Sequence, residues 1–187
     1  MEANADRKLL DEIKANPQRF GILFDQCYQD IFSYIFHRVG DYDIARDIAA
    51  ETFLKAFLNI QSFTWRGVPL SFWLYRIATN EVNLFFRRRK FSPESLPLLI
   101  EKNSFDFFDP DSAQTEKSIL ENELRQHEEF LSIQRKLKEL STKYQEVIAL
   151  RYFEKKSIKE IATILGKKEG TVKSLLSRAI DKLKKLL

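Results

Sequence analysis

The chain has 187 residues and a formal net charge of +4, enough for one domain or two small ones. Its 44% hydrophobic and 13% aromatic content excludes wholesale disorder, and 16 Phe against 5 Gly and 5 Pro disfavours an all-β fold, whose turns consume Gly and Pro. The single Cys27 excludes an internal disulfide framework, and two distant histidines, His37 and His127, offer no zinc-ligand spacing.

The first residues, MEANADRKLLDE, mix charges and lack the apolar core of a secretory leader. No apolar run approaches the roughly 20 residues that span a bilayer. A cytoplasmic protein without membrane insertion is expected. A short helix over about 6–16 comes first. In FGILFDQCYQDIFSYIFHRV (20–39), Phe20, Leu23, Phe24, Cys27, Tyr28, Ile31, Ile35 and Val39 recur at three and four, the stripe of an amphipathic helix. Cys27 lies on that stripe and reads as core, and His37 as a partly exposed polar residue. Gly40-Asp41 ends the helix, and Asp41 or Asp43 caps the next. That one carries Ala45, Ile48, Ala49, Thr52, Phe53, Ala56, Phe57 and Ile60 on one side. After the loop FTWRGVPLS (63–71), Ser71 is placed to cap a third long helix, FWLYRIATNEVNLFFRRRK. Its end, Arg87-Arg88-Arg89-Lys90, follows a run of rings that includes Phe63, Trp65, Trp73 and Tyr75. Rings that stack on bases, beside cations that track phosphates, suit single-stranded nucleic acid. For any one ring, a place in the core is the default.

Charge divides the rest. Residues 1–90 carry net +2, residues 91–128 net −6 and residues 129–187 net +8. The middle opens on Ser92-Pro93, contains Pro97 and Pro110, and holds three Asp among three Phe in NSFDFFDPDS (103–112). It reads as an acidic, partly irregular linker over 93–128, with a helix from near Ala113 capped by Ser112 or Asp111. The tail is helical again. A helix covers roughly 129–139, and Ser141 or Thr142 caps KYQEVIALRYF. Ser157 with Glu160 forms a capping box before IKEIATIL, and Gly166 stops that helix. Lys167-Lys168 leads into EGTVKSLLSRAIDKLKKLL. Two helices joined by a short Gly-containing turn, the second basic, are the helix-turn-helix signature. Ile158, Ile161, Ala162, Leu165, Val172, Leu176, Ala179 and Leu183 supply its core. Lys173, Ser174, Ser177 and Arg178 face outward, with hydroxyls and cations suited to base edges and phosphates.

These residues match a family. DIARDIAAETFLKAF (43–57) resembles the D-A-E-D-L-x-Q-E-T-F-x-K-A-W helix of sigma factors. The segment 63–90 resembles their F-x-W-L-x-R-I-A-x-N … R-R-R segment. YQEVIALRYFEKKSIKEIATILGKKEGTVKSLLSRAIDKL (144–183) resembles their C-terminal DNA-binding domain. The short chain is similar to the extracytoplasmic-function (ECF) group of the sigma-70 family. The resemblance implies an all-α fold of two small helical domains: a region-two-like domain over 1–92 and a region-four-like helix-turn-helix domain over 129–187. It implies a promoter-specific initiation factor that binds core RNA polymerase, reads −35 duplex and helps melt the −10 region, with no catalytic residue, metal or cofactor. An anti-sigma factor is a further implied partner, one that would hold the chain at the inner membrane where it is anchored there. Residue by residue, Asp47, Glu51 and Phe53 fall on the polymerase-docking helix. Phe63, Trp65 and Arg66 fall on the loop that captures a flipped −10 base, and Trp73, Arg76, Asn80, Arg87, Arg88 and Arg89 on the −10 DNA face. Lys173, Ser174, Ser177 and Arg178 fall on the −35 recognition helix. The chain departs from the pattern at Ala50, where the family often has Gln, and at Leu175, where it often has Arg.

Two other classes compete. A stand-alone helix-turn-helix regulator would shift duplex DNA without polymerase, but the first domain shows a basic-aromatic helix and no pocket chemistry. A nucleic-acid enzyme would need clustered metal-binding carboxylates or a phosphate loop; Asp41, Asp43 and Asp47 come nearest, and no Gly-rich loop exists.

Overall fold

The computed structural model describes residues 2–91, 133 and 135–186, and among them every regular element is helical. The expectations for the linker and for the helix from near Ala113 lie outside the described residues. Helix α1 (Glu2–Ala15) leads through a 3₁₀ turn (Pro17–Arg19) into α2 (Phe20–Val39). The chain then forms α3 (Tyr42–Asn59) and α4 (Leu70–Phe91). The tail forms α5 (Thr142–Ile148), a π-helical segment (Ala149–Phe153), α6 (Ile158–Leu165) and α7 (Glu169–Lys184).

Local chemistry sets most boundaries. Gly40 takes the left-handed conformation (φ 65°) and its N–H donates to the Phe36 carbonyl, closing α2. Asp41 accepts a hydrogen bond from the Ile44 N–H at 3.0 Å, opening α3. Ser157 and Glu160 form the expected reciprocal box, and Gly166 (φ 63°) ends α6. Ser141 occupies the position before α5 but makes no side-chain cap. Helix α4 corrects an expectation. It begins at Leu70, so Ser71 lies inside it, and the Leu70 N–H is capped by the Asp6 carboxylate of α1 at 2.9 Å.

Helices α2, α3 and α4 pack around Leu23, Ile31, Ile35, Ala49, Leu74, Ala78 and Val82, with Leu10 and Ile13 of α1 closing the bundle. Each such aliphatic side chain contributes about 1.5–3 kcal/mol when fully buried. In the tail, α5 and α6 pack on α7 through Val147, Ile161, Ile164, Val172, Leu176 and Ala179. The two groups of helices are not separate: α6 and the π segment pack on α4 and α2, and the buried side chains form one continuous cluster.

Candidate polymerase and nucleic-acid interfaces

The outer face of α3 carries Asp47, Ala50 and Glu51, all exposed. Glu51 pairs with Lys55 at 3.1 Å, and Lys55 bonds Glu81 of α4 at 2.6 Å, which raises the lysine's pKa. Phe53 departs from its expected place. It is 4% exposed and packs edge-on against Phe24 and beside Tyr28, so it supports the face from beneath. Leu54 and Leu58 occupy that outer face instead, 52% and 67% exposed. The sequence held the signal: both are apolar, and both fall off the stripe that Ala45, Ile48, Ala49, Thr52 and Phe53 define. Phe57, placed on the inner side by periodicity, is likewise exposed, with one edge against Phe20.

The 60–70 loop is braced by α1. Lys14 Nζ donates to the Phe63 carbonyl at 2.7 Å, and Gln61 donates to the Lys14 carbonyl at 3.3 Å. Asp6 holds the loop's far end through Leu70. Phe63 packs on Trp73 with ring centroids 4.5 Å apart, and Trp65 is half-buried beside them. Gly67 adopts φ 74°, a conformation that a Cβ would strain, so the turn needs glycine. Arg66 projects into solvent. Along α4, Arg76, Asn80, Arg87, Arg88 and Arg89 are all exposed, the first three on one face.

Helix α7 presents Lys173, Ser174, Ser177 and Arg178 to solvent, while Leu175 turns partly into the core. A leucine where the resemblance led one to look for arginine therefore has a packing role. The preceding turn is built on the Gly166 conformation and the Ala162 and Thr163 carbonyls that accept its N–H.

Between these surfaces lies a seam that sequence reasoning missed. The π segment projects Phe153 onto His37, ring on ring at 4.2 Å, and directs Glu154 toward Tyr75, whose hydroxyl donates at 2.7 Å. Burial is the main reason that Glu154 and Tyr75 hold their protons to higher pH than usual and that His37 gives its proton up more readily. Deeper in, the Thr79 hydroxyl donates to the Tyr75 carbonyl, so Tyr34 is the donor in its 2.8 Å bond to Thr79. Arg38, 2% exposed, donates to Tyr34 and to Asn83, and Asn83 donates to the buried Glu146 of α5. Arg76 reaches the turn of the tail, where a Cβ at Gly166 would stand 2.8 Å from its Nη2. Cys27 packs against the core, and burial pushes its thiol up to about 11, as suits a structural cysteine.

Residues 23–92 match the family described as Sigma-70 region 2, and residues 130–183 match Sigma-70, region 4. The ECF RNA polymerase sigma factor SigW of Bacillus subtilis is 30% identical over 190 residues, which cover 100% of this chain and 98% of SigW. The chain belongs to the sigma-70 family. This sigma factor is of the ECF group, a promoter-specific transcription initiation factor that binds core RNA polymerase and not an enzyme. The ECF RNA polymerase sigma factor BldN of Streptomyces coelicolor is 33% identical over 170 residues, covering 90% of this sigma factor but 60% of BldN. Its fold is similar to that of the sigma factor RpoE in complex with the anti-sigma factor NepR from Bartonella quintana. The TM-score is 0.62, with 24% identity over 89% of this chain and 95% of that one.

Proposed function

We propose that this sigma factor engages a promoter with two surfaces of different kinds while α3 holds it on the polymerase. Helix α7 reads −35 duplex through Lys173, Ser174, Ser177 and Arg178. The 60–70 loop and α4 receive the melted −10 strand: Phe63, Trp65 and Trp73 offer ring faces, and Arg66, Arg76, Asn80 and Arg87–Arg89 track its phosphates. Asp47 and Glu51, flanked by exposed Leu54 and Leu58, dock on the polymerase. The observation that carries the reading is the contrast in exposure. The cations of α4 and α7 are solvent-facing, whereas Phe63 and Trp65 are half-buried in a braced loop with Trp73 of α4 against Phe63, as suits a base-stacking platform. The domain limits 1–92, 93–128 and 129–187 belong to the same proposal, as do a cytoplasmic location and capture by an anti-sigma factor. For the location, no helix among the described residues is long and apolar enough to cross a membrane.

The test is transcription in vitro with core polymerase and sequencing of transcript 5′ ends. It expects starts at a common spacing from one pair of promoter elements. Specific duplex binding by the chain alone, together with no promoter-specific starts when the chain is the sole initiation factor added to core enzyme, would favour the stand-alone regulator instead.

A further inference from the structure

The tail grips the first bundle with one short stretch of backbone, and that stretch is irregular. Ala149–Phe153 is π-helical, the Glu154 N–H donates five residues back to the Ala149 carbonyl at 3.1 Å, and the Lys156 N–H donates six back to the Leu150 carbonyl at 2.9 Å. Between them Lys155 takes φ 53°, and among the described residues no other non-glycine has a positive φ. A helix that ends this way favours glycine at that position, because a Cβ in the left-handed region crowds the backbone. The chain carries lysine there and bears the strain. Segments of π-helix and left-handed non-glycine residues concentrate at functional and switch sites.

Here the consequence is geometric. In a continued α-helix Glu154 would point about 100° around from Phe153, and Lys156 about 200° further. The π turn and the left-handed residue bring all three to one side. Phe153 stacks on His37 of α2, Glu154 accepts from the Tyr75 hydroxyl of α4, and the Lys156 ammonium stands 5.0 Å from the centre of the Tyr75 ring. The grip is incomplete. Glu154 Oε1 is buried with no hydrogen-bond partner among the described residues, a desolvated oxygen that opposes docking.

We propose that residues 149–156 form a strained clasp with two settings: closed, it holds the tail on α2 and α4; released, it lets Lys155 return to ordinary backbone as α4 takes the promoter strand. The competition is local. Arg76 follows Tyr75 directly and lies against the Gly166 turn, so a phosphate that draws Arg76 outward loosens the same turn of α4 that Glu154 holds. That competition rests on the strand path along α4 given under Proposed function. By linkage, a change that loosens the clasp strengthens strand binding by up to the same factor, and a change that relieves strain in the closed setting weakens it.

The test uses the full chain alone, with dyes on exposed positions of α3 and α7 and a short single-stranded DNA of random sequence as the probe. Saturating probe is expected to lower energy transfer in the wild type. Tyr75→Phe keeps the ring and removes the donor to Glu154, so it should lower transfer before any probe is added and bind the probe about fivefold more tightly. Lys155→Gly removes the strain and leaves the contacts of Phe153, Glu154 and Lys156 in place. Its reference is Lys155→Ala, which loses the same charge and keeps the strain. Against that reference Lys155→Gly should raise transfer and bind about fivefold more weakly, the size that the strain of one left-handed residue allows. The proposal is overturned by transfer that stays fixed as the wild type binds probe, by a Tyr75→Phe chain that opens without binding more tightly, or by a Lys155→Gly chain that matches Lys155→Ala in both readouts. Arg87→Ala, Arg88→Ala and Arg89→Ala combined check the strand path separately. If that variant binds probe like the wild type, the path along α4 fails and the competition with it. If it loses binding while transfer in the wild type stays fixed, the path stands and the clasp alone fails.

Discussion

The two surfaces proposed to meet nucleic acid in this sigma factor differ in how free they are. The face of α7 is open: Lys173, Ser174, Ser177 and Arg178 are exposed, and the helix spends only its opposite side on packing. The face of α4 is partly engaged. Arg76 lies against the Gly166 turn, and one residue earlier Tyr75 is bonded to Glu154 of the tail. The α7 side chains are open to solvent as they stand, whereas the cationic track proposed along α4 meets the tail at Arg76. Both faces are cationic, so charge does not separate them. The difference lies in what must move before each can be used.

The largest effect is expected where the single-strand face holds its rings. Phe63→Ala combined with Trp65→Ala removes two stacking partners worth roughly 1–3 kcal/mol each. Promoter opening, read as permanganate reactivity of thymines near the −10 element, should fall by about two orders of magnitude. Closed-complex formation at low temperature should not change. Normal opening by the double variant would return both rings to a purely structural role. The counterpart on the open face is Lys173→Ala. If Lys173 reads a base, the loss is about 1–3 kcal/mol and specificity relaxes at one position; if it meets only phosphate, the loss is uniform and the salt slope falls by about one. Wild-type binding at every salt concentration would remove Lys173 from the interface.

A smaller effect tests the brace behind the loop. Asp6→Ala deprives the Leu70 N–H of its acceptor, a cap worth about 1 kcal/mol. The first helices should melt about 2–4 °C lower, and promoter opening should weaken more than −35 binding. An unchanged melting temperature would mean that water replaces the carboxylate without cost.

Asp6 also marks the limit of what the sequence discloses. The bounds of α2, the Asp41 cap, the Ser157–Glu160 box and the Gly166 stop are legible because each depends on residues within four positions. The Asp6 cap joins residues 64 apart, and Ser71, the local candidate, is a turn residue by composition alone. Phe53 misled for a different reason. A motif match points to a helix but not to which of its sides is outward, and the apolar stripe that includes Phe53 already answered that question. Leu54 and Leu58 follow from the same stripe by exclusion. The seam was out of reach. Tyr75 and Glu154 are 79 residues apart, and neither residue type nor spacing announces that a tyrosine and a glutamate will be buried together.

The smallest effect is a pH response of that seam, and it bears directly on how far the α4 face is occupied. Glu154 is faced by the Tyr75 hydroxyl, the Ser33 hydroxyl and His37, with Asp30 and Lys156 near enough to act through charge. Burial raises its pKa above the ordinary 4.5, outweighing the bond from Tyr75. A raised carboxyl pKa favours docking below the ordinary value, and that contribution is lost as pH rises through the raised one. His37 has the opposite sign: burial lowers its pKa below 6.5, so its contribution is present above 6.5 and is lost as pH falls through the lowered value. Glu154→Gln keeps an oxygen to accept from Tyr75 and removes the buried charge. Energy transfer between dyes on α3 and α7 should then report tighter docking than in the wild type at about pH 7.5. From there down to about pH 5 only the loosening due to His37 should remain. A variant that docks more weakly at neutral pH would show that the ionised carboxylate, bonded by Tyr75, is a net holding contact, and that desolvation is the lesser force on this residue.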